Sequence, residues 1–182
     1  MTSAGTAKGE PVNEPVNIVS FADDSEWRII NDGVMGGLSR SRIQSTDQGT
    51  GLFTGELSLE NNGGFASIRT LVGSHDLSQA AGLEIRVKGD GRTYQLRLRT
   101  TDRWDGIAYR ASFRAPEGRW FTARFPFEDF VPSFRGRVVE DAGPLDAARI
   151  EQLGFLIADK VTEPFSLEID FVRAWHPGRE AE

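Results

Sequence analysis

The sequence predicts an all-β protein folded as a two-sheet antiparallel sandwich of the jelly-roll type. Apolar and polar residues alternate with a period of two in many short segments, and Gly, Asp and Pro residues separate those segments. Helical periodicity is scarce, whereas a parallel sheet would need crossover helices. A length of 182 residues is typical of one sandwich domain and is sufficient to bury a core.

The chain divides into one domain and two tails. Residues 1–15 are small, polar and proline-bearing, which predicts a flexible N-terminal tail, and residues 177–182 have the same character. Residues 16–176 form the predicted β-sandwich domain. No apolar run reaches the roughly 18 residues of a membrane span, and the first residues lack the pattern of a signal or transit peptide. We therefore expect a cytoplasmic protein that does not span a membrane.

The clearest alternation covers residues 83–99 and is interrupted by Asp90 and Gly91. Asp-Gly favours a two-residue type I′ turn, so the pattern predicts a β-hairpin in which two neighbouring strands share one apolar face. The predicted cross-strand pairs are Val87 with Tyr94, Ile85 with Leu96, Leu83 with Leu98, and Glu84 with Arg97.

Further strands follow the same rule. Gln152–Ala158 is more continuously apolar, as a central strand would be, and residues 145–152 are the one helical candidate. The remaining predicted strands are 16–21, 38–45, 51–59, 64–70, 107–114, 121–127 and 167–172.

Charge and cysteine content exclude several classes of protein. The chain carries 27 acidic and 21 basic residues, for a net charge of −6, which argues against a nucleic-acid partner. It contains no cysteine, which excludes disulfides, thiolate nucleophiles and cysteine-based zinc sites.

No group of residues predicts an active site, and we expect no enzyme activity, no cofactor and no metal centre. Ser74, His75 and Asp76 are adjacent, and neighbouring side chains do not converge into a catalytic triad. Glu168 and Asp170 occupy outward positions of a strand, where solvated charge is the ordinary explanation. A structural calcium ion bound by loop Asp and Asn oxygens remains an alternative, although no ordered ligand spacing is visible.

Basic residues occupy outward positions of several alternating strands. If those strands are neighbours, they form a docking face for an acidic or phosphorylated partner, with Arg97, Arg99 and Arg110 as binding candidates. Cross-strand pairing with acidic residues is the alternative. The full set is Arg86, Lys88, Arg97, Arg99, Arg110, Arg114 and Arg124.

Two loops supply further binding candidates. Trp104 lies between two predicted strands, where an exposed indole would contact sugar or protein, unless it folds back over the sandwich edge. Asn31 and Asp32 precede glycines that allow tight turns around Met35. Met35 would either contact a partner or fill the end of the sandwich.

A series of motifs then follows in a specific order through residues 18–175. Its main members are WRIINDGVMGGLS at 27–39, FTGELS at 53–58, NNGGFASIR at 61–69, VKGDGRTY at 87–94, LGF at 153–155 and PFSLEID at 164–170. In this order the motifs resemble the complex I intermediate-associated protein 30 family.

The resemblance implies a galactose-binding-like jelly roll. It also implies a chaperone-like factor that assists assembly of respiratory complex I, and hence a protein partner such as a complex I subunit or an assembly intermediate. The family offers no catalytic residue to transfer. Because the fold also resembles carbohydrate-binding modules, a glycan ligand is the alternative.

Overall fold

The computed structural model describes residues 16–72 and 76–178. The predicted N-terminal tail, residues 179–182, and Ser74 and His75 lie outside these ranges. Within them the chain forms twelve β-strands and five short 3-10 turns. No helix in these ranges has the length and apolar character that crossing a membrane requires.

The strands follow one another along the chain with short connections. They are β1 (Arg28–Ile29), β2 (Arg40–Ser45), β3 (Gly51–Glu56), β4 (Ala66–Leu71), β5 (Gly82–Lys88), β6 (Thr93–Arg99), β7 (Ala108–Arg114), β8 (Trp120–Pro126), β9 (Val131–Phe134), β10 (Arg137–Val138), β11 (Gln152–Ile157) and β12 (Phe165–Trp175).

Two antiparallel sheets contain all of these strands. The larger sheet has seven strands in the order β1-β4-β11-β6-β7-β9-β10, and the smaller has five in the order β2-β3-β12-β5-β8. The predicted all-β, two-sheet sandwich is therefore confirmed. Fully buried aromatics fill the space between the sheets; for example, Phe53 of β3 meets Phe165 of β12 edge-on, with ring centroids 4.9 Å apart.

The predicted hairpin at Asp90 and Gly91 is wrong. β5 belongs to the five-stranded sheet and β6 to the seven-stranded sheet, so the turn carries the chain from one layer to the other. Val87 is paired with Phe121 and Ile169, while Tyr94 is paired with Phe113. Alternation correctly identified the inward side of each strand. It could not distinguish two strands that pair from two that face each other across the core.

The predicted pair of Glu84 with Arg97 is wrong for the same reason. The Glu84 carboxylate is buried and accepts hydrogen bonds from Arg124 and Arg173 of neighbouring strands in its own sheet. Arg97 lies on the opposite outer face of the sandwich.

Other differences occur at the ends and edges of strands. Residues 16–21 form no strand and contribute one isolated bridge, between Asn17 and Arg173. The helix predicted at 145–152 is a single 3-10 turn, Ala147–Arg149. β12 (Phe165–Trp175) is longer than the predicted strand. A bulge between Ile169 and Phe171 shifts the register and interrupts the alternation of apolar and polar residues, so the sequence pattern did not show the full length.

Candidate functional site

The outer face of the seven-stranded sheet carries a group of arginines that we call the arginine face: Arg69, Arg97, Arg99 and Arg110. Register pairing sets Arg69 of β4 opposite Gly154 of β11, Gly154 opposite Arg97 of β6, and Arg97 opposite Arg110 of β7. One row across four neighbouring strands therefore contains three arginines and one glycine.

Carboxylates are absent from the outward positions of these four strands. The alternate positions are buried in the core, which defines the outward set from the register. That set is Ser67, Arg69, Leu71, Gln152, Gly154, Leu156, Thr93, Gln95, Arg97, Arg99, Ala108, Arg110, Ser112 and Arg114.

Arg97 and Arg110 have no ion-pairing or hydrogen-bonding partner for their side chains among the described residues. The Nε atom of Arg97 is buried without a hydrogen bond, which costs about 1–3 kcal/mol. Burial lowers the pKa of Arg97 to about 10, and repulsion from Arg99 and Arg110 acts in the same direction. The guanidinium nevertheless stays protonated at neutral pH, so the face remains positively charged.

The other two arginines of the face hold a loop at its end. Arg69 donates from Nη1 to the carbonyl of Trp104 at 2.7 Å, and Arg99 donates to the carbonyl of Gly106. Burial, with repulsion from Arg99 and Arg97, lowers the pKa of Arg69 to about 10. These two guanidiniums therefore position the loop and leave Arg97 and Arg110 available to a ligand.

Gln152 fastens the same loop from β11. Its Nε2 donates to the carbonyls of Thr101 and Arg103, at 2.7 and 2.8 Å. The Trp104 side chain remains 62% exposed beside the face and does not fold back over the sandwich edge.

The predicted set of basic residues is divided between the two outer faces. Arg86, Lys88 and Arg124 lie on the five-stranded sheet, and each forms an ion pair there. The pairs are Arg86 with Asp170 at 2.7 Å, Lys88 with Glu168 at 3.2 Å, and Arg124 with Glu84 at 2.8 Å.

Arg114 lies on the seven-stranded sheet and donates from Nε to the carbonyl of Gly91 at 3.0 Å. The condition for one continuous basic surface is therefore not met, and the alternative of cross-strand pairing with acidic residues holds for Arg86, Lys88 and Arg124.

Asp32 is fully buried and organises the loop that precedes β2. Its carboxylate accepts hydrogen bonds from the amide of Ser39 at 3.0 Å, from the Ser39 hydroxyl, and from the amide of Gly64 at 2.6 Å. Burial by itself would raise the pKa of Asp32, but these hydrogen bonds outweigh it and hold the pKa below the usual value. Asp32 thus joins two loops inside the protein.

Asn31 has a similar internal role. Its Oδ1 accepts a hydrogen bond from the Ser41 hydroxyl at 2.8 Å and another from the amide of Ser67 at 3.2 Å. These contacts connect the loop to a strand of each sheet. The side chains of Asn31 and Asp32 are therefore engaged within the fold, and any partner would meet their exposed neighbours.

Met35 is 61% exposed, so it does not fill the end of the sandwich. Val34 and Leu38 of the same loop, and Leu59 of the adjoining loop, are also exposed. A hydrogen bond from Asn61 Nδ2 to the carbonyl of Gly36, at 3.2 Å, connects the two loops.

The sequence thus identified three arginines and the tryptophan that the fold brings to one face, but it missed Arg69 and Gln152. Both occupy outward positions in predicted strands, so the alternation of apolar and polar residues could have identified them. Their role depends on hydrogen bonds to a loop, which that alternation does not report. In the described part of the chain, no three His, Cys, Asp or Glu residues are arranged to hold a metal ion.

Solved structures share this fold. The family 11 carbohydrate-binding module of Clostridium thermocellum, in complex with a β-1,3-1,4-mixed-linked tetrasaccharide, has a TM-score of 0.61 at 16% identity, covering 86% of this chain and 92% of that one. The agarase AgWH50C has a TM-score of 0.60 at 10% identity, covering 89% of this chain and 24% of the enzyme. At such identities the likeness shows the jelly-roll fold alone.

Curated sequences are more informative. Complex I intermediate-associated protein 30, mitochondrial, of Drosophila melanogaster is 30% identical over 81% of this chain and 57% of the relative. The Mus musculus protein of the same description is 30% identical over 82% of this chain and 52% of the relative. The chain spans about half the length of these relatives. Residues 16–169 match the family model described as Complex I intermediate-associated protein 30, and the chain belongs to that family.

Proposed function

We propose that this chain is a non-catalytic interaction factor that assists assembly of respiratory complex I by binding a protein partner through the arginine face. The single observation that supports this surface is the pair Arg97 and Arg110, which point outward on a face whose central strands carry no carboxylate. The complex I role comes from the names of the family relatives. Its transfer to this chain is our proposal.

The composition of the face suits a protein interface. Arginine and tryptophan are enriched among the residues that contribute most to protein binding, and both occur here beside exposed aliphatic residues. Val131 of β9 lies directly opposite Arg110 and is 40% exposed, and Leu71 at the end of β4 is 70% exposed. Because the Arg97 side chain is already half-buried among its neighbours, it would lose less conformational entropy on binding than a fully exposed arginine.

The expected partner is a complex I subunit or an assembly intermediate. The named relatives are mitochondrial and do not support the cytoplasmic location expected from the sequence. Imaging the tagged full chain in source cells would decide between the two compartments.

Co-purification from source cells tests the proposed function. Wild-type bait is expected to recover complex I subunits, and Arg97→Gln/Arg110→Gln is expected to recover at least tenfold less. Arg40→Gln/Arg119→Gln is the matched control, because it removes the same charge from two exposed positions outside the arginine face. Recovery of no complex I subunit by the wild type, with the bait stably expressed, would refute the assembly role.

A carbohydrate ligand is the second candidate, and the exposed Trp104 is the observation that favours it, because sugar rings stack on aromatic faces. Calorimetric titration with a mixed-linked β-glucan tetrasaccharide, for the wild type and Trp104→Ala, tests this candidate. Measurable heat that the substitution abolishes would favour the glycan, and no heat with the wild type would exclude this sugar.

A further inference from the structure

We infer that Arg97 and Arg110 together seat a carboxylate group of an extended acidic segment of a protein partner. This inference rests on the proposed function in one respect: it takes the arginine face to be the surface that binds protein. It adds the chemistry by which the partner is recognised.

The geometry of the pair suits one shared anion. Arg97 and Arg110 are direct register partners on adjacent strands. Side chains in that relation start about 4.5–5.5 Å apart at Cβ, so two guanidiniums can converge on one carboxylate. The planar fork of arginine can donate two parallel hydrogen bonds to a carboxylate. The Nε of Arg97 is buried without a partner, so the Nη atoms of its guanidinium are the donors that would meet the carboxylate.

Gly154 of β11 lies between Arg69 and Arg97 in the row. It is the register partner of both arginines, and it places no side chain in the row. A Cβ atom at this position would stand 2.5 Å from the carbonyl oxygen of Ile68, so the close backbone excludes any larger residue. Gly154 is itself buried, so neighbouring side chains cover it, and the row presents its arginines rather than open backbone to a partner.

The opposite face of the same protein provides an internal comparison. On the five-stranded sheet, Arg86 is paired with Asp170 and Lys88 with Glu168. On the seven-stranded sheet, Arg97 and Arg110 oppose each other with no acid in the outward positions of their strands. Like charges directly opposite one another destabilise a sheet. A carboxylate supplied by a partner would neutralise this repulsion, as the chain's own acids do on the other face.

The dimensions favour a peptide over an isolated anion. From β4 to β7 the row crosses three strand spacings, or ~14 Å, which exceeds the reach of one phosphate or carboxylate. An extended peptide presents successive side chains of one side every ~6.7 Å, so a peptide lying across the row can place one acidic residue at the Arg97–Arg110 pair and further acidic residues beside it. A nucleic acid is disfavoured because the chain as a whole carries a net charge of −6.

The test uses the full chain and a fluorescein-labelled hexaglutamate peptide, followed by fluorescence anisotropy at low ionic strength. We expect saturable binding that weakens as salt is added. Arg97→Gln/Arg110→Gln should weaken it at least tenfold, and the control Arg40→Gln/Arg119→Gln less than twofold. Labelled hexaglutamine should not bind.

A second variant distinguishes loss of binding from loss of folding. Arg97→Lys/Arg110→Lys retains both charges but lacks the arginine fork, so an intermediate loss of affinity is expected. Each variant's thermal melting curve is compared with the wild type's, and the lysine variant decides the test if the glutamine variant unfolds. The inference is overturned if the wild type does not bind hexaglutamate, if the control variant weakens binding equally, or if a hexathymidylate oligonucleotide binds more tightly than the peptide.

Failure of this inference and failure of the proposed function give different results. If Arg97→Gln/Arg110→Gln no longer co-purifies the partner and the wild type does not bind hexaglutamate, the arginine face binds protein by other chemistry. If the peptide binds at the arginines while co-purification from cells is unaffected by the substitutions, the site is correct and assembly uses another surface.

Discussion

Arg97 on β6 lies directly opposite Arg110 on β7, so two like charges face each other across neighbouring strands whose outward positions carry no carboxylate. The five-stranded sheet, by contrast, pairs its outward Arg86 and Lys88 with acids. A stability cost at a surface that can bind an anion is the trade-off expected where residues serve binding.

The first prediction concerns the stability cost of that arrangement. Arg97→Met removes a desolvated charge and its repulsion from Arg110 and keeps an unbranched apolar stem. We expect the free energy of unfolding to rise by about 1–3 kcal/mol in urea denaturation, because the substitution removes both the unpaired buried Nε and the like-charge repulsion. Arg86→Met, which breaks the ion pair with Asp170, should lower it slightly instead. A loss above about 1 kcal/mol for Arg97→Met would show that this side chain is needed for folding.

The second prediction concerns the buried carboxylate of Asp32. Asp32→Ala leaves the amides of Ser39 and Gly64 without their acceptor, and we expect a loss of at least about 2 kcal/mol in the free energy of unfolding at pH 7. Asp47→Ala, at an exposed turn position, should change it by less than about 0.5 kcal/mol.

The same carboxylate predicts a pH dependence. The pKa of Asp32 in the folded protein is lower than in the unfolded chain, so its contribution is complete above the unfolded value near 3.8 and is lost as the pH falls through the folded value. Urea denaturation repeated from pH 6 to pH 3 should show a steeper loss for the wild type than for Asp32→Asn. Parallel curves would contradict this assignment.

The third prediction concerns two glycines in one loop. A Cβ atom on Gly37 would lie 2.3 Å from Cγ of Asp32, so Gly37→Ala must displace the buried carboxylate. We expect a loss of about 1–3 kcal/mol in the free energy of unfolding. Gly33→Ala is the matched control, because a Cβ there meets no atom within 4 Å. Equal effects of the two substitutions would mean that the loop repacks freely around Asp32.

The fourth prediction concerns the connection between the sheets. Arg92 donates from Nε and Nη2 to the two carboxylate oxygens of Asp159, each at 2.7 Å, and also to the carbonyls of Val161 and Glu163. Arg92→Lys retains the charge but cannot reproduce this fork, so thermal denaturation should report a loss of about 1–3 kcal/mol. Arg119→Lys at an exposed position should leave the melting temperature within about 1 °C, a change within the small effects expected at the surface.

The fold class, and which residues of each strand point inward, could be predicted from the sequence. The inward positions of residues 83–88 and 94–98 are buried as expected, because one apolar face per strand is a local property that composition encodes. The partner of each strand could not be predicted in the same way. Asp90 and Gly91 resemble a hairpin turn, yet Asp90 accepts hydrogen bonds from Tyr94 and from the amide of Ser166 in a crossing between sheets.

The candidate site was predictable to a similar degree. Parity placed Arg97, Arg99 and Arg110 outward, and they do lie on one face. The same alternation also grouped Arg86 and Lys88 with them, although these side chains lie on the outer face of the five-stranded sheet and are paired there with acids. Outward position is a local property, whereas which outward surfaces adjoin depends on strand order.

The sequence by itself determined the alternation, the turn residues and the family motifs, and from these follow an all-β chain, its core positions and its family membership. Only the tertiary structure decided which charges are neutralised. Ion pairing depends on distances between strands that are remote in the chain, and no local pattern encodes those distances. The assignment of strands to two sheets gave Arg86 an acidic neighbour and left Arg97 opposite another arginine.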